Sequence, residues 1–246
     1  MASAGIGDRI EGLHAVAAAL AAGRVQSIVV ELQRLEHPVY ASLAEAAEHA
    51  SAVVEVVDDV RPLATTDAPQ GVIARCRPIK PVALEDAVAA SDPAAVLVFD
   101  HIEDPRNLGA AVRSAVAAGF GAIVVPKRRS APLGPTAFKA AAGSLERIAI
   151  TEVGSIPEAL QRLNQLGLWR VGLDAEGEQS LFGFKVFADP VAIVVGAERS
   201  GLSRLTAQRC DALVSIPQRG EVESLNVSVA TALAVFEVAR MRGWVS

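Results

Sequence analysis

The sequence has few of the residues that mark secreted, membrane or metal-binding proteins. Only two of its 246 residues are cysteine, and Cys76 and Cys210 lie far apart without a neighbouring histidine or cysteine. We therefore expect no metal site and no disulfide framework, and we interpret both cysteines as small buried residues. No apolar run is long enough to span a bilayer, and residues 1–8 lack the basic and then apolar order of a signal peptide. These absences favour a cytoplasmic protein.

Two common nucleotide-binding signatures are also missing. No Gly-x-Gly-x-x-Gly follows a predicted strand and no phosphate-loop lysine is present, which disfavours a nicotinamide dehydrogenase. The formal net charge of −5 argues against a protein that coats nucleic acid non-specifically, although it allows a local basic patch. A hydrophobic content of 51% predicts a folded core.

Short elements alternate in the first third of the chain and predict a small α/β domain at residues 1–80. We expect helices near 12–22 and 38–50, and strands at 27–30, 53–57 and 71–76. Proline at positions 78, 81 and 93 and a short helix at 84–90 predict a linker at 81–93.

The alternation becomes regular in residues 94–246, which we expect to form the second domain. Predicted strands lie at 96–99, 122–125, 148–150, 168–173, 192–195 and 212–216, and predicted helices at 108–118, 136–142, 156–166 and 202–209, with a long final helix. Continuous apolar strands that alternate with helices are typical of a parallel sheet covered on both faces.

The strand at 212–216 leads into a stretch suited to a small polar ligand. Pro217 and Gly220 predict a loop after this strand, and we interpret Ser224 as the N-cap of the final helix. No charged residue occurs from 225 to 236, yet Asn226 and Ser228 sit among the apolar ones. Buried amides and hydroxyls need partners, so these side chains are candidates for organising a ligand loop.

A second group of polar residues follows the strand at 96–99. Asn107 is interpreted as a helix N-cap or as a functional amide, and His101 as a surface, capping or titrating residue. Arg113 follows on a helix of small and apolar residues, where a guanidinium usually has an anionic partner. A structural salt bridge and a phosphate contact both remain open for Arg113.

Charged residues also mark two further turns. Three cations come directly after a predicted strand, at Lys127, Arg128 and Arg129. They form either an ordinary solvated loop or part of a positive patch for a phosphate-bearing substrate. The other members of that patch would be Arg106, Arg113 and Lys139. Glu198 lies in the turn between Gly196 and Gly201, either to satisfy nearby N–H groups or as part of a site.

Three of these stretches together resemble the motifs of the SpoU (TrmH-type) RNA 2′-O-ribose methyltransferases of the SPOUT superfamily. They are 107–113, 196–201 and 216–230, in the family's order and spacing, and the likeness extends through 126–131 and 70–75 to nearly the whole chain. That breadth is similar to the subgroup that methylates a guanosine in the peptidyl-transferase region of large-subunit ribosomal RNA. Gln218 and Pro69 depart from the Met and His common in relatives.

The resemblance implies an α/β fold whose parallel sheet carries a C-terminal trefoil knot, an exception to the general absence of knots. It also implies a ribosomal-protein-like RNA-binding domain at 1–80, S-adenosylmethionine as methyl donor, an RNA substrate and a homodimer that uses the last helix. Transfer RNA, an adenosine of ribosomal RNA, and a catalytically silent RNA-binding protein remain alternatives for the function.

The resemblance also assigns roles to individual residues. Arg113 is placed at the ribose 2′-hydroxyl, with Asn107 and Glu198 holding it and the ribose. The cofactor is expected on the backbone of Leu173, Gly196, Ile216 and Leu225, in a loop organised by Ser224 and Asn226. Contacts to RNA are expected from Arg75, Arg106, Lys127, Arg128 and Arg129.

Overall fold

The computed structural model describes residues 5–128, 130–198, 200–220 and 224–244. The chain forms two compact units. Unit 1 comprises Met1–Lys80 and Pro132–Arg147, and unit 2 comprises Pro81–Ala131 and Ile148–Ser246. The second segment of unit 1 lies inside the range that the sequence assigned to the second domain, because that assignment followed the strand alternation and not the packing.

Unit 1 is a four-stranded sheet with helices. Its strands are β1 (Arg9–Glu11), β2 (Val25–Glu31), β3 (Val53–Val57) and β4 (Val72–Cys76), and its helices are α1 (Leu13–Ala21), α2 (Pro38–His49) and α5 (Pro135–Ala141), numbered in chain order. The strand order is β1-β4-β2-β3, with β2 parallel to β3 and β4 antiparallel to both β1 and β2. One face of this sheet buries Ile10, Ile28 and Ala74 in the core.

A buried carboxylate holds the loop that precedes β4. The side chain of Glu11 is fully buried, and its two oxygens accept hydrogen bonds from the backbone N–H and the hydroxyl of both Thr65 and Thr66, at 2.5–3.0 Å. Burial by itself raises the pKa of Glu11, but the hydrogen bonds from Thr66 and Thr65 outweigh it and hold the pKa below 4.5. The ionised carboxylate therefore stabilises unit 1.

Unit 2 contains a seven-stranded parallel sheet in the order β7-β6-β5-β10-β8-β11-β9. Its strands are β5 (Ala95–Asp100), β6 (Ala122–Pro126), β7 (Ala149–Val153), β8 (Trp169–Leu173), β9 (Gln179–Ser180), β10 (Val191–Gly196) and β11 (Ala212–Ser215). Its helices are α3 (Leu84–Val88), α4 (Pro105–Ala117), α6 (Ile156–Gln165), α7 (Arg204–Arg209) and α8 (Val227–Met241). Every residue of β5, β6 and β10 is buried, as expected for central strands covered on both faces.

The connections of this sheet reverse direction between β5 and β10. From β5 the chain continues through α4 to β6 on one side, and from β10 it continues through α7 to β11 on the other. Ligands of parallel α/β sheets bind at the carboxyl ends of the strands where such a reversal occurs. The fold thus brings the loops after β5 and β10 to a position suited to a site.

The final helix is anchored to the sheet at its C-terminal end. It packs against α4 and β10, and its buried Glu237 accepts a hydrogen bond from the backbone N–H of Gly183 at 2.7 Å. Just beyond the helix, Arg242 donates to four backbone carbonyls, those of Phe187, Pro93, Ala94 and Asp189. Among the described residues, no helix has the length and apolar character needed to cross a membrane.

The predicted parallel α/β sheet is confirmed, and each predicted helix and strand is present with small differences at its ends. The sequence missed β1 and β9, which have three and two residues and are too short to show a periodicity. Both cysteines are free; Cys76 is buried and Cys210 half-buried, and burial raises their pKa values to about 11 and about 12.

We expect Glu11→Gln to destabilise unit 1 by about 1–3 kcal/mol at neutral pH, because the amide offers one acceptor oxygen in place of two. The stabilisation by Glu11 is present above the ordinary glutamate pKa of 4.5 and is lost as the pH falls through its lowered pKa in the folded protein. Thermal unfolding of wild type and variant should therefore differ near neutral pH and converge below pH 4.5. Glu36→Gln, at an exposed position, serves as the control; a difference that does not change with pH would contradict this role.

Candidate functional site

A cleft of about 490 Å³ lies at the carboxyl ends of β8, β10 and β11. Five of the six residues expected to bind a cofactor line this cleft, namely Leu173, Gly196, Ile216, Ser224 and Leu225. Val195, Val214, Val227 and Ala230 add apolar surface. The volume and the mixture of apolar walls with a few polar groups are typical of a small-molecule site.

The turn after β10 requires glycine. Ala197 and Gly201 form an antiparallel bridge in which each backbone N–H donates to the other's carbonyl, at 3.0 and 2.9 Å. A Cβ atom on Gly196 would lie 2.1 Å from the carbonyl carbon of Gly201. The tight turn therefore brings Glu198, at its tip, beside the cleft.

Acidic side chains set the electrostatic character of the cleft. Asp174, Glu176 and Glu198 line it, and among its described lining residues none is lysine or arginine. Asp174 also orders its own loop, because its Oδ1 accepts the backbone N–H of Glu176 at 2.9 Å. A cleft with this lining favours a ligand that carries positive charge beside an apolar or aromatic part.

A chain of side-chain hydrogen bonds connects the three polar stretches that the sequence singled out. Asn107 Nδ2 donates to Glu198 Oε1 at 2.9 Å, and Asn226 Nδ2 donates to Asn107 Oδ1 at 3.0 Å. Asn226 Oδ1 in turn accepts from the backbone N–H and hydroxyl of Ser228, at 2.8 and 2.6 Å. We call the Glu198, Asn107 and Asn226 side chains the amide relay. It joins the loop after β10, helix α4 and the start of α8.

Two residues interpreted as N-caps, Asn107 and Ser224, do not cap their helices, and the observed caps help to explain how the relay forms. Helix α4 begins at Pro105 and is capped by Asp104, whose Oδ1 accepts the N–H of Arg106 at 2.8 Å, so the Asn107 amide is available for other partners. Helix α8 is capped by Asn226 instead of Ser224, which is exposed at the cleft. Asp-Pro and Asn-Val-Ser are better helix starts than the predicted ones, because proline suits the first helical position and asparagine caps well.

Comparison with known proteins identifies the family. Residues 94–236 match the SpoU rRNA Methylase family, and residues 9–82 match the family described as RNA 2′-O ribose methyltransferase substrate binding. The chain belongs to the SpoU methylase family. The family that its motifs resembled and the enzyme class, RNA 2′-O-ribose methyltransferase, are thereby confirmed.

Individual relatives are similar over almost the entire chain. The 23S rRNA (guanosine-2′-O-)-methyltransferase RlmB of Escherichia coli (strain K12) is 38% identical over 242 residues, 96% of this chain and 99% of the relative. RlmB of Ralstonia nicotianae is 39% identical over 237 residues, 94% of each chain. The crystal structure of an AdoMet-bound rRNA methyltransferase from Sinorhizobium meliloti has 26% identity and a TM-score of 0.78, covering 97% of this chain and 88% of the other.

The arginine of the first SpoU motif lies outside the cleft lining. Arg113 is exposed on α4, and within the described ranges no carboxylate forms an ion pair with it. The expectation that Arg113 has an anionic partner because it is costly to bury therefore does not apply to the free protein. Asn107 and Glu198, which were expected to hold Arg113 and the ribose, bond to each other, and their role toward Arg113 stays a prediction.

The basic residues of the SpoU chain divide between the two units. Arg106, Lys127 and Arg128 are exposed in unit 2, whereas Arg129 lies outside the described residues. Lys139 belongs to unit 1, where it donates to the carbonyl of Ala68. Arg75 is also in unit 1, exposed on β4.

Sequence reasoning missed a buried aspartate next to the first motif. Asp100, at the end of β5, accepts the backbone N–H of Ser203 at 2.8 Å and lies 2.6 Å from Nδ1 of His101. It connects the end of β5 to the segment between β10 and α7. Its signal was a carboxylate at the end of a wholly apolar strand, a position where burial demands partners. Asp174 and Glu176 had no comparable signal, because acidic residues in loops are common.

We expect Asn226→Ala to destabilise unit 2 by about 1–2 kcal/mol, because α8 loses its cap and α4 loses a hydrogen bond. Asn226→Ser keeps a capping hydroxyl but lacks the amide that reaches Asn107, so it should recover only the capping share. Thermal unfolding of the three proteins measures both contributions. Equal losses in the two variants would contradict the capping role, and no loss in Asn226→Ser would contradict the contribution of the relay.

Proposed function

We propose that this SpoU protein methylates the ribose 2′-hydroxyl of a guanosine in 23S ribosomal RNA, with S-adenosylmethionine as the methyl donor. The amide relay carries the proposal, because it ties the loops of all three motifs together beside one cleft. The substrate assignment is supported by the curated relatives named 23S rRNA (guanosine-2′-O-)-methyltransferase, which align with nearly the whole chain. We also propose a cytoplasmic location, because ribosomal RNA is the proposed substrate.

The cleft residues fit S-adenosylmethionine in charge and in size. This molecule carries a sulfonium, an ammonium and a carboxylate group, and therefore one net positive charge, and the cleft has three carboxylates, Asp174, Glu176 and Glu198, at its wall. Leu173, Ile216 and Leu225 would enclose the adenosine, and Gly196 lets the backbone of Gly201 pack closely in the turn that borders the cleft. Ser224 is exposed at the cleft, whereas Asn226 does not line the cleft and instead caps α8 and donates a hydrogen bond to Asn107. When bound, the cofactor supplies an electrophilic methyl group.

The protein must then present the ribose hydroxyl and assist the loss of its proton. Arg113 is the residue we propose at the 2′-hydroxyl; since arginine stays protonated, it acts by orienting the hydroxyl and an adjacent RNA phosphate, and that phosphate takes the hydroxyl proton and passes it to solvent. Holding the two reactants in the correct geometry can remove a large share of the activation barrier of such a transfer. Asn107 and Glu198 hold the first and second motifs against each other. The position of the ribose hydroxyl relative to the cleft is thereby fixed.

We propose the following arrangement of the chain. Residues 1–80 are the substrate-binding domain, 81–93 the linker and 94–246 the methyltransferase domain; the change of unit at Lys80 and Pro81 supports the first boundary. A trefoil knot in the C-terminal part of this domain belongs to the same proposal. In support, β11 lies beyond β8 in the sheet, whereas α8, which follows β11 in the chain, packs against α4 and β10.

We further propose a homodimer formed through α8. Val229, Leu233 and Phe236 are 48%, 36% and 41% exposed, and their spacing of four and three residues places them on one side of the helix. The motif residues occupy the N-terminal end of this helix, so its exposed apolar side is available to a partner subunit.

Leu233→Glu should convert the protein to a monomer, because a carboxylate cannot be buried at such an interface without a partner. Sedimentation equilibrium of the wild-type and variant proteins measures the mass directly. Leu63→Glu, which changes an exposed leucine of unit 1, is the matched control. A monomeric wild type, or a dimeric Leu233→Glu variant, would remove the proposal.

Arg113→Ala should lose methyl transfer by at least about 100-fold, the order expected when a positioned transition-state contact is removed. Cofactor affinity should stay close to wild type, because Arg113 is not among the residues that line the cleft. Tritium transfer to purified ribosomal RNA and calorimetric titration with S-adenosylmethionine measure the two effects. Arg113→Lys keeps the charge and loses the planar fork, and should recover little activity. A fully active alanine variant would refute the role.

Mass mapping of 2′-O-methyl groups tests the substrate. Ribosomal and transfer RNA from cells that lack the gene are compared with RNA from the same cells carrying wild type or the Arg113→Ala variant. Loss of one 2′-O-methylguanosine in 23S RNA, restored only by wild type, is the expected result. Loss of a methyl group from transfer RNA or from an adenosine would replace the proposed substrate, and an unchanged map would reject the activity.

A further inference from the structure

Two arginines lie side by side on the sheet of unit 1. Arg9 on β1 pairs in register with Arg75 on β4, and Arg75 pairs on its other side with Ser27 on β2. Directly opposed residues of antiparallel strands have Cβ atoms about 4.5–5.5 Å apart, and like charges at that separation are unfavourable. The row of Arg9, Arg75 and Ser27 thus concentrates two positive charges and a hydroxyl within one short span.

This row lies on the face of the sheet opposite Ile10, Ile28 and Ala74, a face on which Glu11 and Ile73 are also buried. Neighbours of Arg75 along β4, Ala74 and Cys76, are buried on the core side, whereas Arg75 is exposed. The side chain of Arg9 is 39% exposed. Arg75 is therefore open to solvent, whereas the Arg9 side chain is only partly accessible.

The protein supplies only part of the countercharge. Glu11 Oε1 lies 3.5 Å from Nε of Arg9, but the four hydrogen bonds from Thr65 and Thr66 already occupy the acceptor positions of this carboxylate. Within the described part of the chain, Arg75 has no ion pair. The two arginines and Glu11 together carry one net positive charge.

Arg9 also has hydrogen-bonding capacity that the protein does not use. Its Nε and Nη2 atoms are buried and have no hydrogen-bond partner among the described residues. These two atoms form one edge of the guanidinium, the edge that bonds two oxygens of a phosphate at once. Buried N–H groups without partners cost about 1–3 kcal/mol, so a rotation that brings this edge to an anion on the open face would be favourable.

We propose that Arg9 and Arg75 together bind one backbone phosphate of the RNA substrate, with the Ser27 hydroxyl as a further donor. A phosphodiester carries one negative charge, which matches the net charge of Arg9, Arg75 and Glu11 taken together. Glu11 remains bonded to the Thr65 and Thr66 loop and lies 3.5 Å from Nε of Arg9. The inference rests on the proposed RNA substrate and assigns a contact on unit 1 that is separate from methyl transfer.

The salt dependence of binding tests this site. The full-length protein is titrated against an unmethylated transcript of 23S RNA by filter binding over a range of KCl concentrations. Each lost phosphate contact should reduce the slope of log K against log salt by about 0.7–0.9. We expect that reduction for Arg9→Met and for Arg75→Met, and no further reduction for the double variant, because both side chains hold the same phosphate.

Arg162→Met is the control, because Arg162 is an exposed arginine of α6 paired with Glu85 in unit 2, and its slope should equal that of wild type. The proposal would be overturned if Arg9→Met had the slope of wild type. It would also be overturned if the slope of the double variant fell by twice as much as the slope of each single variant. If Arg9→Met does not fold, the slope of Arg75→Met decides between the outcomes. Arg75 is exposed, so its replacement is expected to leave the fold intact. Binding is measured without methyl transfer, so failure of this site and failure of the proposed activity give different results.

Discussion

The amide relay is the interaction on which the site depends. Asn107 donates to Glu198 and accepts from Asn226, and Asn226 at the same time caps α8 through the N–H of Ser228. An asparagine amide has one donor group and one acceptor group, and in this relay each amide uses both. The three motif loops, which lie up to 119 positions apart in the chain, are therefore held together without a buried charge pair.

Buried carboxylates perform a related task elsewhere in the molecule. Glu11, Asp100 and Glu237 are buried among the described residues, and each accepts the backbone N–H of a loop, at Thr65, Ser203 and Gly183. A buried carboxylate is costly unless such donors surround it, so the loop and the carboxylate depend on each other. Asp100 joins the end of β5 to the segment before α7, while the other two hold loops elsewhere in the fold.

Charge is distributed according to the proposed ligands. The cleft wall is acidic at Asp174, Glu176 and Glu198, which suits a cationic cofactor, and the exposed residues Arg106, Lys127 and Arg128 are basic, which suits RNA. A net charge of −5 is thus compatible with an RNA enzyme, because steering depends on local potential and not on the sum. The Arg9 and Arg75 row extends the same principle to unit 1.

The sequence by itself determined the alternation of strands and helices, the buried central strands and the family, because these depend on local periodicity and on motifs of contiguous residues. It also pointed to Asn226, an amide in an uncharged apolar stretch, and to Asn107 and Glu198, polar residues in the segments that follow two predicted strands. Only the tertiary structure decided that these three bond to one another, that Asp104 and Asn226 are the helix caps, and that 132–147 packs with unit 1. Such pairings join residues distant in the chain, and the competition between neighbouring caps is settled by packing that no local pattern records. The pairing of Arg9 with Arg75 is of the same kind, because strand register fixes it and β1 is too short for the sequence to reveal.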